Sequence, residues 1–247
     1  MKNVERVNPL LCDPETGVCE VFGTSEPEVK NHIPAEKKPV RIVYFTDPIC
    51  STCWGVEPQL RKLKLEYGDY FDIDYRMGGL LPSWDVYKSG GINKASDVAH
   101  HWDEVGAYYD MPLDGDVWIE DPLWSSYPPS VAFKAAQMQD EEKAIEFLRR
   151  LRELLFLEKK NITKWDYVES AALDAGLDLV KLKADYEGGA ANQLFTEDLE
   201  LAGKFGVRGF PSFFYVNGQN EQTLVYGFKP YETFEQTLLK MVPEAEK

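Results

Sequence analysis

Histidine and cysteine are scarce in this chain, three of the first and four of the second in 247 residues. A zinc knuckle needs further ligands at matching spacing, and His32, His100 and His101 form no CxxH or HxxxH pattern, so no metal centre is expected. His100 and His101 fall in an expected helix, Asp97–Tyr108, where adjacent residues point to different faces. No stretch approaches the ~20 apolar residues that span a bilayer. Met1–Asp13 lacks the basic, apolar, small-residue order of a secretory leader, so a cytoplasmic protein is the expectation and a trimmed periplasmic one the alternative. Basic residues are also the minority, 27 Lys and Arg against 42 Asp and Glu, for a net charge of −15. Such a surface repels nucleic acid and anionic membrane, and runs such as Asp140-Glu141-Glu142 read as solvated faces. Proteins, peptides and small thiols remain as partners. With 44% apolar residues the chain can bury a sizeable core.

What the chain does carry is Cys50-Ser51-Thr52-Cys53, between an apolar run, Val40–Thr46, and a helical pattern, Trp54–Tyr67. Free backbone N–H groups and the positive dipole end at such a strand-to-helix turn stabilise a thiolate. Two intervening residues in the first turn bring the sulfurs within bonding reach. Cys50, before the turn, is expected to be exposed and to attack; Cys53, one turn in, is expected to be more buried and to resolve the mixed disulfide. Thiols in the cytoplasm are kept reduced, so four cysteines in two close pairs suit catalysis better than a structural framework.

Residues 1–39 are rich in Pro, Glu, Asn and Lys and read as an extended arm. Within it, Asp13-Pro14 and Thr16-Gly17 favour a tight turn that brings Cys12 and Cys19 within disulfide reach. A second redox pair, a loop staple and two unlinked thiols all fit. After the first helix, which Pro58 should kink, Phe71–Met77 alternates as a second strand, implying a parallel crossover. Residues 95–190 read as an inserted helical layer, with Ala132–Gln139, Ile145–Phe156, Trp165–Ala175 and Leu179–Tyr186 as helices. Thr163 of Asn161-Ile162-Thr163 is expected to cap the helix that follows. Phe195–Phe205 reads as a helix, Ser212–Val216 and Thr223–Tyr226 as a hairpin about Asn217-Gly218, and Tyr231–Met241 as the closing helix. This order describes an α/β thioredoxin fold with a mixed sheet, formed by residues 40–94 and 191–247, with a helical domain, 95–190, inserted.

Pro211 stands where a central strand should begin, a place that suits a tight turn with a cis bond. A cis Phe210–Pro211 bond would free the backbone of Phe210, beside the sulfurs, to pair with an extended peptide as one added strand. The segments Phe45–Trp54 and Val207–Phe213, with the helical insertion, resemble the DsbA family, most closely its cytoplasmic FrnE-like branch of dithiol-disulfide oxidoreductases and isomerases. The resemblance covers residues 40–241 and leaves the Cys12/Cys19 arm outside. It implies Cys50 as nucleophile, Cys53 as resolving thiol and Pro211 as the cis proline, with no cofactor and with electrons from a cellular thiol reductant or oxidant. Ser51-Thr52 departs from the dipeptides of strong oxidants, and Phe210 is bulkier than is common before that proline. The chain also resembles YjbH-type adaptors, which share the fold and deliver a transcription regulator to a protease. Kappa-class glutathione transferases and hydroxychromene carboxylate isomerases share the architecture too, and such an isomerase is a further alternative; their catalytic position typically carries Ser, so Cys50 counts against it.

Around the thiols, Asp47 and Glu57 are candidates for relaying the proton that Cys53 must lose, with a solvated first-turn residue as the alternative for Glu57. Ser51, Thr52, Trp54 and Phe210 are the candidate substrate contacts. Trp54, Trp84, Trp102, Trp118 and Trp124 read mainly as core and domain-interface packing, with some placed to line an apolar groove above Cys50.

Overall fold

The computed structural model describes residues 38–87 and 93–243, together with the backbone of 12–13 and 18–20. The rest of the expected extended arm, including His32, lies outside the described residues. The chain runs β1 (Cys12–Asp13), β2 (Val18–Glu20), β3 (Val40–Thr46), α1 (Ser51–Gly55), α2 (Glu57–Tyr67), β4 (Phe71–Met77), α3 (Ser96–Tyr109), α4 (Val117–Glu120) and α5 (Tyr127–Gln137). It continues through α6 (Glu141–Phe156), α7 (Trp165–Asp174), α8 (Leu179–Glu187), α9 (Ala190–Lys204), β5 (Gly209–Phe210), β6 (Ser212–Asn217), β7 (Gln222–Tyr226) and α10 (Tyr231–Met241).

The main sheet has the order β4-β3-β6-β7; β3 pairs parallel with β4 and antiparallel with β6, which pairs antiparallel with β7. It is the mixed sheet of the thioredoxin fold. Every residue of β6 is buried and β3 is nearly so, which is why both read as continuous apolar runs rather than alternating ones. At the edge, β7 begins with three exposed residues.

Between β4 and α9 stands the helical layer, in which α5 is buried from Pro129 to Ala136 and packs on α6, α8 and α9. Asp198 of α9 ties this layer to the sheet. Fully buried, it accepts from Lys134 Nζ (2.8 Å), Arg76 Nη1 (3.0 Å) and the Met77 N–H (2.9 Å), so its charge and lone pairs are satisfied where water cannot reach.

Several boundaries differ from the sequence reading, and α6 begins at Glu141 and α9 at Ala190, ahead of the expected Ile145 and Phe195. The helix expected to kink at Pro58 is two helices that part at Val56, before the proline. Proline clashes with the carbonyl four residues back and lacks an N–H, so the chain restarts with Pro58 in the first turn of α2. Likewise α5 runs from Tyr127 to Gln137, with Pro128 and Pro129 in its first turn, where the expected helix was Ala132–Gln139. Thr163 does not cap α7, whose N-cap is Lys164. Instead the Asn161 side chain accepts from the Thr163 N–H (3.1 Å) and hydroxyl (2.5 Å), closing a local turn.

Candidate functional site

β3 ends at Thr46, and four residues later Cys50 caps α1: its sulfur accepts the Cys53 N–H at 3.2 Å. The cap satisfies one of the orphan donors of the first turn with the very atom that would carry charge. Ser212 of β6 pairs with Phe45, so the Phe210–Pro211 bond, which is cis, lies at the same end of the sheet as the thiols. Contacts close the gap on two sides. The Phe210 ring packs on Gly78, whose N–H donates to the Thr46 carbonyl (2.8 Å). The Pro211 carbonyl accepts from Gly227 (2.9 Å), and the next ring, Phe228, packs on Tyr109, which shares a hydroxyl hydrogen bond with Thr52 (2.9 Å).

Burial corrects the expected division of labour. Cys50 and Cys53 are both 0% exposed, so Cys50 is not the open thiol that its place before the turn implied. Residues far along the chain, Tyr109 among them, roof the turn, and nothing local to Cys50–Cys53 signals that. Ser51, Thr52, Trp54 and Phe210, the candidate substrate contacts, are buried as well. Trp54 donates to the Pro112 carbonyl (3.1 Å) and stacks on Phe156, at the join with the helical layer. Phe210 turns its bulk inward; an ideal Cβ at Gly78 would lie 1.9 Å from its ring, so the ring needs a glycine there. Of the remaining tryptophans, Trp102 and Trp118 are buried, Trp84 is half-buried, and Trp124 is exposed.

Ionisation is shared unequally. Burial pushes the Cys50 thiol well up, and the neighbouring Cys53 and the Asp47 carboxylate add to this. Burial opposes charge at Cys53 too, but the hydrogen bond from Cys50, the charge of Arg152, the Thr46 hydroxyl and the Asp47 N–H together hold it below the ordinary thiol value. The two thiols share this environment, so the first proton to leave belongs to the pair, and the Arg152 cation favours its departure.

Arg152 is the residue that motif reading missed. It is 3% exposed and donates through Nη2 to Thr46 Oγ1 (2.6 Å) and the Asp47 carbonyl (3.3 Å), and through Nη1 to Glu57 (3.2 Å). A signal existed: Arg152 lies on the apolar stripe of α6, with Leu148, Leu151 and Leu155, where a charge must have a buried partner. Glu57, bonded to both Arg152 and Arg149 (3.4 Å), is thus a bridge from α2 to α6 rather than a solvated first-turn residue.

Asp47 is pinned just as firmly. Its carboxylate accepts from the N–H groups of Ile49 (3.0 Å) and Leu80 (2.7 Å) and from the Ser126 hydroxyl (2.9 Å). Burial raises it to about 6, against the lowering effect of those donors and of Arg152. Asp47 is thus close enough to act on Cys50, whereas Glu57 is linked to the site through Arg152, and both are held by other partners. His101 is buried and His100 exposed, and among the described residues no cluster of His, Cys, Asp or Glu could hold a metal ion. No helix among them is long and apolar enough to cross a membrane.

The thioredoxin family model matches residues 44–236, from the middle of β3 into α10. The chain belongs to the thioredoxin family. Among relatives, it is 38% identical over 239 residues to the ClpXP adapter protein SpxH of Halalkalibacterium halodurans, covering 95% of this chain and 77% of that protein. Identity to SpxH of Bacillus subtilis is 33% over 215 residues, 85% of this chain and 70% of the other. The chain therefore also belongs to the sequence family of these adapters. In fold it is similar to the cytosolic disulfide reductase DsbM from Pseudomonas aeruginosa, with a TM-score of 0.64 and 20% identity over 81% of this chain and 99% of that one.

Proposed function

We propose that this thioredoxin-family chain is an adaptor that brings a protein client to the ClpXP protease. The observation that carries the reading is identity to SpxH that runs along 95% of the chain, far beyond the CxxC segment. Burial of both sulfurs supports it, because a thiol that turns over substrates must meet them. An adaptor acts where its protease does, and the cytoplasm is the place we assign. Proteins recovered on the immobilised full chain supply the clients. Adding the chain should speed degradation of a true client by purified ClpXP about a hundredfold at limiting client, the scale that tethering provides. Client half-lives that do not change on adding the chain would overturn the proposal.

A second reading is favoured by one specific observation, the thiol pair set at a helix N-terminus over a buried arginine. It is dithiol–disulfide exchange with protein or small-thiol substrates, fed by a cellular thiol reductant or oxidant, with Cys50 attacking once uncovered, Cys53 resolving, and Pro211 beside them. Insulin reduction that disappears in Cys50→Ser is its test; an inactive wild-type chain sinks it.

A further inference from the structure

The backbone edge at Gly209–Phe210 is not open. Strand β2 pairs antiparallel along it, with Cys19 opposite Phe210 and Glu20 opposite Gly209. Strand β1 then pairs with β2, with Cys12 opposite Cys19. The edge that the sequence assigns to an extended peptide is thus taken by the chain's own arm, and a cysteine stands at the register position next to Pro211. Directly opposed residues of an antiparallel pair have Cα atoms roughly 4.5–5.5 Å apart, inside the span a disulfide bridges. Meanwhile Cys50 and Cys53 have no surface through which an outside thiol can reach them.

From this we infer that Cys12 and Cys19 form the redox partner of the buried pair, with Cys19 as the sulfur that exchanges with Cys50. The step balances within the chain. The Cys50 thiolate attacks Cys19 of a Cys12–Cys19 disulfide; the Cys50–Cys19 bond forms, the Cys12–Cys19 bond breaks, and Cys12 leaves as a thiolate that takes up a proton. The Cys53 thiolate then attacks Cys50, forming Cys50–Cys53 and releasing Cys19, which takes up the second proton. Two electrons pass from the buried pair to the arm, and the protons that Cys50 and Cys53 lose are those that Cys12 and Cys19 gain. The reverse sequence reduces the buried pair. Exchange with soluble disulfides or thiols takes place at the arm.

The inference rests on the exchange chemistry of the second reading and needs neither client nor protease. Its test is the full chain carrying Cys53→Ala, oxidised with a small excess of oxidised glutathione, alkylated and mapped without reduction. A Cys19–Cys50 linked peptide with Cys12 alkylated is the expected result, and adding Cys19→Ser should abolish the link. A Cys50–glutathione adduct beside an intact Cys12–Cys19 bridge overturns the relay while leaving the exchange chemistry. An unmodified Cys50 overturns both. In a chain with Cys50 and Cys53 intact, Cys19→Ser alone should slow oxidation of the buried pair by glutathione disulfide at least about tenfold, since the internal step is lost. An unchanged or faster rate contradicts the inference without calling on any core substitution.

Discussion

Arg152 decides how charge is placed at the thiol pair. Replacing it with Met keeps most of its volume in the core and removes the cation that helps hold Cys53 down. Loss of a nearby opposite charge should raise the pair's thiolate titration by about 1–3 pH units, followed by the ultraviolet absorbance of the thiolate. A titration that does not move would mean that the helix terminus alone sets the value. Gly78 acts through packing, with the Phe210 ring against it. In Gly78→Ala the new Cβ meets the Phe210 ring, and overpacking of this kind costs roughly 1–3 kcal/mol in urea unfolding. Adding Phe210→Leu should recover much of that loss, a coupling that a double-mutant cycle isolates; additive losses would show that the ring and the glycine are independent.

Between elements, the junction of α5, α9 and β4 turns on Asp198. Asp198→Ala leaves Lys134 buried without its carboxylate and frees the Met77 N–H, and breaking a buried pair from one side costs about 3–5 kcal/mol. Chemical denaturation that shows less than about 1 kcal/mol would place the hold elsewhere, in the range of a surface pair. The elements themselves were legible where their signals are local. The CxxC follows an apolar run, Pro211 precedes another, and the turn residues between Cys12 and Cys19 announced the pairing of β1 with β2. Covering of the site was not legible, because it depends on Tyr109 reaching Thr52 from α3 and on Arg152 reaching Thr46 from α6. Such contacts join residues far apart in the chain, and only the packing of the helical layer creates them.

For the whole molecule, two buried groups pull stability in opposite directions with pH. Asp47 ionises near 6 in the folded chain against an ordinary value of 3.8, so between about 4 and 6 the unfolded chain holds fewer protons and stability falls as pH rises. His101 is lowered to about 4 from 6.5, by burial and then by His100, so between about 4 and 6.5 the unfolded chain holds more protons and stability rises with pH. Each shift corresponds to on the order of 3 kcal/mol, and the two nearly cancel. His101→Gln should expose the downward slope from pH 4 to 6, and Asp47→Asn the upward one, in urea midpoints taken across that range. Parallel slopes in the two variants would contradict both assignments.

At this scale the fold was readable from the order of strands and helices, whereas the choice between enzyme and adaptor was not, since both readings share the motif. Cys50→Ser separates them, and the deciding measurement is the rate at which purified ClpXP degrades a client in the presence of this variant. An adaptor predicts a rate equal to that with the unaltered chain, even where insulin reduction is abolished. A client that is spared to the same degree as when the chain is left out would contradict the account and make the thiol chemistry the function.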